Sequence, residues 1–267
     1  MSFVRCRTIA GLIAIGLMLG VTGCANTGAG SSREIVTASD ETDVGRRARV
    51  RLELAGAYFA QGQYNTALDE VKQALVANPN MTEAYNLRGL IYSSLGDQGM
   101  ADESFRRALQ INPRDADTLH NYGWYHCQHK RYAEAAPLFA QALAVPQYRD
   151  SARTLLAQGV CRAQAGQWAE AEQSLQRAFE LEPANLAVSA NLAEVLYRRG
   201  DYERARFYIR RVNAQPGISN PQTLWLATRI EQRAGNRSGM QELGTQLRNR
   251  FPESREAAAY ERGQFDE

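Results

Sequence analysis

A chain of 267 residues, 44% of them hydrophobic, can hold one large or two ordinary globular domains, and its wealth of Ala, Leu, Gln, Arg and Glu favours helix. Lysine and arginine total 31 against 29 acids, and removing Arg5 and Arg7 with an N-terminal leader leaves the two signs balanced. That balance argues against a nucleic-acid-binding surface, and no stretch alternates long enough to read as a strand.

Residues 1–23 have the form of a processing signal. Arg5 and Arg7 supply a basic start, residues 9–21 an apolar stretch too short for a comfortable membrane span, and Val21-Thr22-Gly23 a small-residue cleavage site. Val21-Thr22-Gly23-Cys24 resembles the lipobox of bacterial lipoproteins. The resemblance implies that Cys24 is acylated, becomes the mature N-terminus and is handled by the lipoprotein sorting machinery. Ala25 stands where that family places a retaining aspartate, so the expected location is the periplasmic face of the outer membrane. Apart from this covalent lipid no cofactor is expected. Residues 24–43, rich in Gly, Ser, Thr and Asn, are expected to form a flexible tether with a reach of roughly 25 Å.

From residue 44 the sequence repeats. Shifting Gly96, Tyr92, Ala101, Ala108, Leu109 and Pro113 back by 34 lands on Gly62, Tyr58, Ala67, Ala74, Leu75 and Pro79. Six units follow, 44–79, 80–113, 114–148, 149–183, 184–218 and 219–252. A two-residue insertion lies near Pro146 to Asp150, and the last unit is weakened by Gly239 and Gly244. Each unit places apolar residues at helical spacing in two halves with proline after the second, and five of the six have glycine between the halves, which predicts a helix-turn-helix hairpin.

The small residues Ala55, Gly89, Gly123, Gly159 and Ala193 recur at one position of the first (A) helix, and Ala67, Ala101, Ala135, Ala171 and Ala205 at one position of the second (B) helix. This pattern resembles the tetratricopeptide repeat. It implies an all-α, right-handed superhelical solenoid of six repeats and about 12 helices, with a C-terminal tail at 253–267 and a concave face lined by A helices.

In the repeat frame the concave positions are Leu52, Phe59, Asn86, Leu90, Ser93, His120, Trp124, Cys127, Leu156, Val160 and Tyr197. Over the first three units this predicts an apolar trough for a partner's amphipathic helix or extended peptide, with Leu52, Phe59, Leu90 and Trp124 as its floor and Asn86 and His120 as polar handles. The alternative is that Leu52, Leu90 and Trp124 pack inside the hairpins.

His120, His126, His129 and Cys127 crowd together, but on one helix they point to different sides, so no metal site is expected. Cys127 and Cys161 lie on neighbouring A helices. In an oxidising periplasm they read either as a disulfide or as two buried thiols. No phosphate loop, nucleophile elbow or His-Glu-x-x-His segment is present. Neither catalysis nor a small-molecule substrate is expected.

A closer likeness rests on Asn121-Tyr122-Gly123 with Cys127, Gly159-Val160-Cys161, Ala205-Arg206 with Tyr208, Leu224-Trp225-Leu226, Arg229-Ile230-Glu231 and residues 247–252. These segments resemble the type IV pilus biogenesis and stability lipoproteins. The resemblance implies a pilotin: a partner that binds the type IV pilus secretin and promotes its outer-membrane localisation and multimerisation. A general envelope adaptor for peptidoglycan enzymes or proteases is the alternative.

Overall fold

The computed structural model describes residues 43–215 and 217–265. The leader, Cys24, the tether up to residue 42 and Pro216 lie outside them. Thirteen α-helices and no strand occur among the described residues: α1 (Asp43–Ala60), α2 (Tyr64–Ala77), α3 (Thr82–Leu95), α4 (Gln98–Ile111), α5 (Ala116–Gln128), α6 (Tyr132–Leu143), α7 (Ser151–Gln164), α8 (Trp168–Leu181), α9 (Leu186–Arg198), α10 (Tyr202–Asn213), α11 (Pro221–Arg233), α12 (Arg237–Arg250) and α13 (Arg255–Glu261).

The first twelve pair into six hairpins, each odd-numbered A helix against the even-numbered B helix that follows it. Small residues set how closely the two approach. A Cβ on Gly89 would lie 2.7 Å from the Phe105 ring, one on Gly159 2.6 Å from Leu175, and one on Gly123 3.1 Å from Phe139. Phe105, Phe139 and Leu175 are fully buried there, so an A-helix glycine and a large B-helix side chain form a complementary pair in each of the second, third and fourth hairpins.

Several helix starts are fixed by side chains. Asp97, Asp115 and Asp201 each accept from a backbone N–H three residues on, and Asn220 with Thr223 forms a capping box ahead of Pro221. The turn between the two helices of a hairpin needs a left-handed residue. Gly96, at φ 80°, supplies it after α3 and donates back to Ser93 and Tyr92 carbonyls. In the third hairpin the same position is held by Lys130 at φ 59°.

The C-terminal stretch expected as a plain tail contains a helix. Ser254 caps α13 by accepting from Ala257 N at 3.1 Å, and α13 packs on α11 and α12. Ala257 joins Leu224, Trp225 and Leu247 in a core cluster, with Tyr260 and Phe265 packed against it. Gly244 does more than dilute the sixth unit: the Tyr260 ring occupies the place its Cβ would take, 2.0 Å away. The solenoid therefore ends on a fitted lid.

Two predictions follow from this packing. Lys130→Gly removes the cost of a side chain in the left-handed region and should stabilise the protein by about 1 kcal/mol; an unchanged denaturation midpoint would contradict that strain. Gly244→Ala should displace Tyr260 and speed amide exchange in α13 while leaving the first three hairpins protected, and unaltered α13 exchange would refute the fit.

Candidate partner-binding face

The backbones of neighbouring A helices approach one another along the solenoid, α1 with α3, α3 with α5, α5 with α7, α7 with α9 and α9 with α11, whereas B helices meet one another only through side chains among the described residues, as where Arg204 of α10 reaches Glu172 of α8 at 2.7 Å. Closer spacing on one side means curvature toward that side. The A helices therefore line the inner face.

On that face Leu52 and Phe59 are half-buried against the cluster of Ala55, Ala67, Val71 and Ile91. Leu90 leans on Phe105, Tyr122 and Tyr125, and Trp124 on Cys127, Phe139 and Cys161. One side of each of these residues packs against the hairpin cores and the other remains exposed.

Asn86 is half-buried and accepts from Asn121 Nδ2 at 3.2 Å, and Asn121 Oδ1 accepts from Arg153 Nη2 at 3.1 Å. Three consecutive units are thus linked by a polar ladder. Asn121 and Arg153 were absent from the sequence-derived face. The signal for them was faint, because they flank the nominal concave positions.

His120 is corrected. It is only 5% exposed, and its Nδ1 lies 2.9 Å from Thr154 Oγ1, which also bonds the Tyr148 hydroxyl at 2.9 Å. The connection carrying the two-residue insertion brings Tyr148 over this spot, so the imidazole is a structural group and not a handle. Burial, reinforced by the charge of Arg153, pushes its pKa down from 6.5 to about 4.

The other histidines have separate partners. His126 is buried against Tyr122, ring centroids 4.3 Å apart, with its Nδ1 3.6 Å from Glu134. His129 Nδ1 meets the Tyr125 carbonyl at 2.8 Å.

Cys127 on α5 and Cys161 on α7 face one another with Cα atoms 5.7 Å apart, inside the span a disulfide bridges. A second tie joins the second and third hairpins. Asp102 accepts from the Tyr122 hydroxyl at 2.9 Å and from Arg131 Nη1 at 3.2 Å. Burial works against its charge, but the hydrogen bonds from Arg131 and Tyr122 outweigh it and leave the carboxyl below its ordinary range.

With this geometry in hand, known proteins can be set beside the chain. Models described as tetratricopeptide repeat match residues 82–115, 104–136, 123–178 and 162–216, and one described as TPR repeat matches 56–96. The type IV pilus assembly protein PilF of Pseudomonas aeruginosa is 27% identical over 249 residues, covering 93% of this chain and 96% of that protein. The crystal structure of PilW, described as a widely conserved type IV pilus biogenesis factor, superposes with a TM-score of 0.74 at 30% identity, over 82% of this chain and 99% of PilW. This chain belongs to the PilF/PilW type of tetratricopeptide-repeat protein. The solved PilF structure agrees, with a TM-score of 0.75 at 25% identity over 83% of this chain. The solenoid expected from the sequence is therefore the fold of the PilF/PilW type.

The buried histidine gives a pH prediction. Below about 6.5 the unfolded chain takes up a proton on His120 that the folded chain accepts only near 4. Its contribution is full above pH 6.5 and is lost as pH falls toward 4, to a limit of about 3 kcal/mol. Urea midpoints should thus fall between pH 7 and pH 5 by more in the natural protein than in His120→Gln. Equal falls would contradict the assignment.

Proposed function

We propose that this chain serves type IV pilus biogenesis as a lipid-anchored, non-catalytic pilotin that binds the pilus secretin and promotes its outer-membrane localisation and multimerisation. The observation that carries this reading is the match to PilF and PilW along nearly their whole lengths, in a chain whose inner face presents half-exposed apolar side chains. Leu52, Phe59, Leu90 and Trp124 provide the apolar contacts. Asn86, with Asn121 and Arg153 beside it, provides hydrogen-bond donors for a partner's backbone.

Cys24 supplies the anchor in this reading. No described helix is long and apolar enough to cross a membrane, and several acyl chains on one residue suffice for stable attachment. The sorting machinery then moves the anchored protein together with its cargo. Cys127 and Cys161 form a covalent bridge in the exported protein, closing a loop of 34 residues and adding about 3 to 4 kcal/mol in the chain-entropy account.

Replacing Leu90 by Ser together with Asn86 and Asn121 by Ala should cut secretin co-purification about tenfold or more, a loss of about 1.4 kcal/mol or more, with helicity unchanged by circular dichroism. Undiminished capture would move the site off this face. Cys24→Ala, exported and stable, should keep capture and lose outer-membrane secretin multimers, and normal multimers would sink the delivery role. Two alkylatable thiols in the non-reduced protein would exclude the bridge.

A further inference from the structure

Half-buried arginines in this solenoid are matched with carboxylates. Arg88 has Glu103 at 3.3 Å, Arg131 has Asp102 at 3.2 Å, Arg206 has Glu231 at 2.8 Å and Arg229 has Glu194 at 3.5 Å. Arg162 on α7 is half-buried as well, and among the described residues no carboxylate lies within 4.0 Å of it. Its Nη1 donates to the Ser174 hydroxyl at 2.7 Å and to the Glu170 carbonyl at 3.1 Å. Burial, with Arg177 adding to it and the more distant Glu170 charge opposing, holds its pKa below the ordinary arginine value.

The second unit shows what is missing. There Arg88 Nε donates to Ser104 at 2.9 Å and Arg88 Nη2 to Glu103 at 3.3 Å. Seventy residues later Ser174 stands for Ser104, Arg177 for Arg107, Gln158 for Arg88 and Gln173 for Glu103. Gln158 accepts from Ser174 at 3.0 Å, and the cation has moved one helical turn along α7 to Arg162. The fourth unit thus keeps its positive charges and replaces the answering carboxylate with a neutral amide. An open cavity of about 350 Å³ lies at that place, lined by Gln158, Arg162, Gln173, Ser174 and Arg177, with Leu143 of α6 on its apolar wall.

We infer that this cavity between the third and fourth hairpins binds a carboxylate side chain of a protein partner, in the role Glu103 plays within the second unit. The two guanidinium groups and the glutamine amides supply the donors, and the α6 wall takes the methylenes of an aspartate or glutamate. The site is walled by the B helices α6 and α8 over Gln158 and Arg162 of α7, which by helical periodicity stand on the side of α7 opposite the concave positions Leu156 and Val160, so it gives the solenoid a second contact that reads charge. It rests on the reading that the chain works by holding a protein partner, but its test needs no partner.

The test uses the unacylated chain from residue 25 onward, whose described residues carry a continuous set of cores of their own, with arginine labelled by nitrogen-15. Titration with N-acetylglutamate should move the Arg162 Nε–Hε resonance saturably, while chloride at equal ionic strength leaves it in place. Gln173→Glu should put a carboxylate back into the cavity, weaken that response about tenfold or more and raise the melting temperature. Gln173→Ala should retain the response. No saturable movement, or the same movement in Gln173→Glu, overturns the site. A stronger response to inorganic phosphate than to N-acetylglutamate overturns the carboxylate assignment in favour of a phosphate ligand. Lost secretin capture in the inner-face variants bears on the pilotin role alone and leaves these resonances unmoved.

Discussion

The closeness of the two helices within each hairpin is the constraint on which the rest of the molecule depends. Gly89 against Phe105 and Gly159 against Leu175 leave no room for even one methyl group, and Gly123 against Phe139 leaves room only for a tight contact. That approach lets a neighbouring A helix come near enough for Asn86 to reach Asn121 and for Asn121 to reach Arg153. It also brings Cys127 and Cys161 to a Cα separation of 5.7 Å. The inner face is therefore a by-product of tight hairpins. Its curvature, ladder and cysteine pair all rest on the packing inside the hairpins.

The core is divided into several clusters strung along the chain, as expected of an architecture in which each unit meets only its neighbours. Charges stitch the clusters together. Asp102 links Tyr122 and Arg131 across the second and third hairpins, and Glu231, only 3% exposed, receives Arg206 from the hairpin before it. Such pairs contribute little when exposed but are costly to break when buried. They favour one register of stacking over its alternatives. Against this background a half-buried arginine without a carboxylate, as at Arg162, marks a place where the protein is left incomplete by itself.

Much of the fold was legible in the sequence because the repeat is a packing rule, and a packing rule leaves spacing behind. Glycines at the hairpin turns, alanines on the B helices and prolines after them marked the hairpins. The parts that were not legible depend on side chains arriving from outside the repeat frame. Lys130 holds a left-handed turn without glycine because the hairpin around it fixes the conformation. Gly244 looked like decay until Tyr260 of α13 was found filling its space. His120 occupied a concave position by register, but the inserted connection places Tyr148 beside Thr154 and closes that position off. Asn121 and Arg153 became visible only as partners of Asn86. The half-exposed A-helix positions of Leu52, Phe59, Leu90 and Trp124 were legible from register alone, as were the cysteines that meet.

The central claim is that the inner face, with Asn86 at its middle, grips the pilus secretin. It is tested most directly by photo-crosslinking in piliated cells, with the photoreactive residue placed at Asn86 on the inner face or at Val76, which is 84% exposed on α2. The account predicts a secretin adduct from position 86 and none from position 76. An adduct from position 76 with none from position 86 would contradict it.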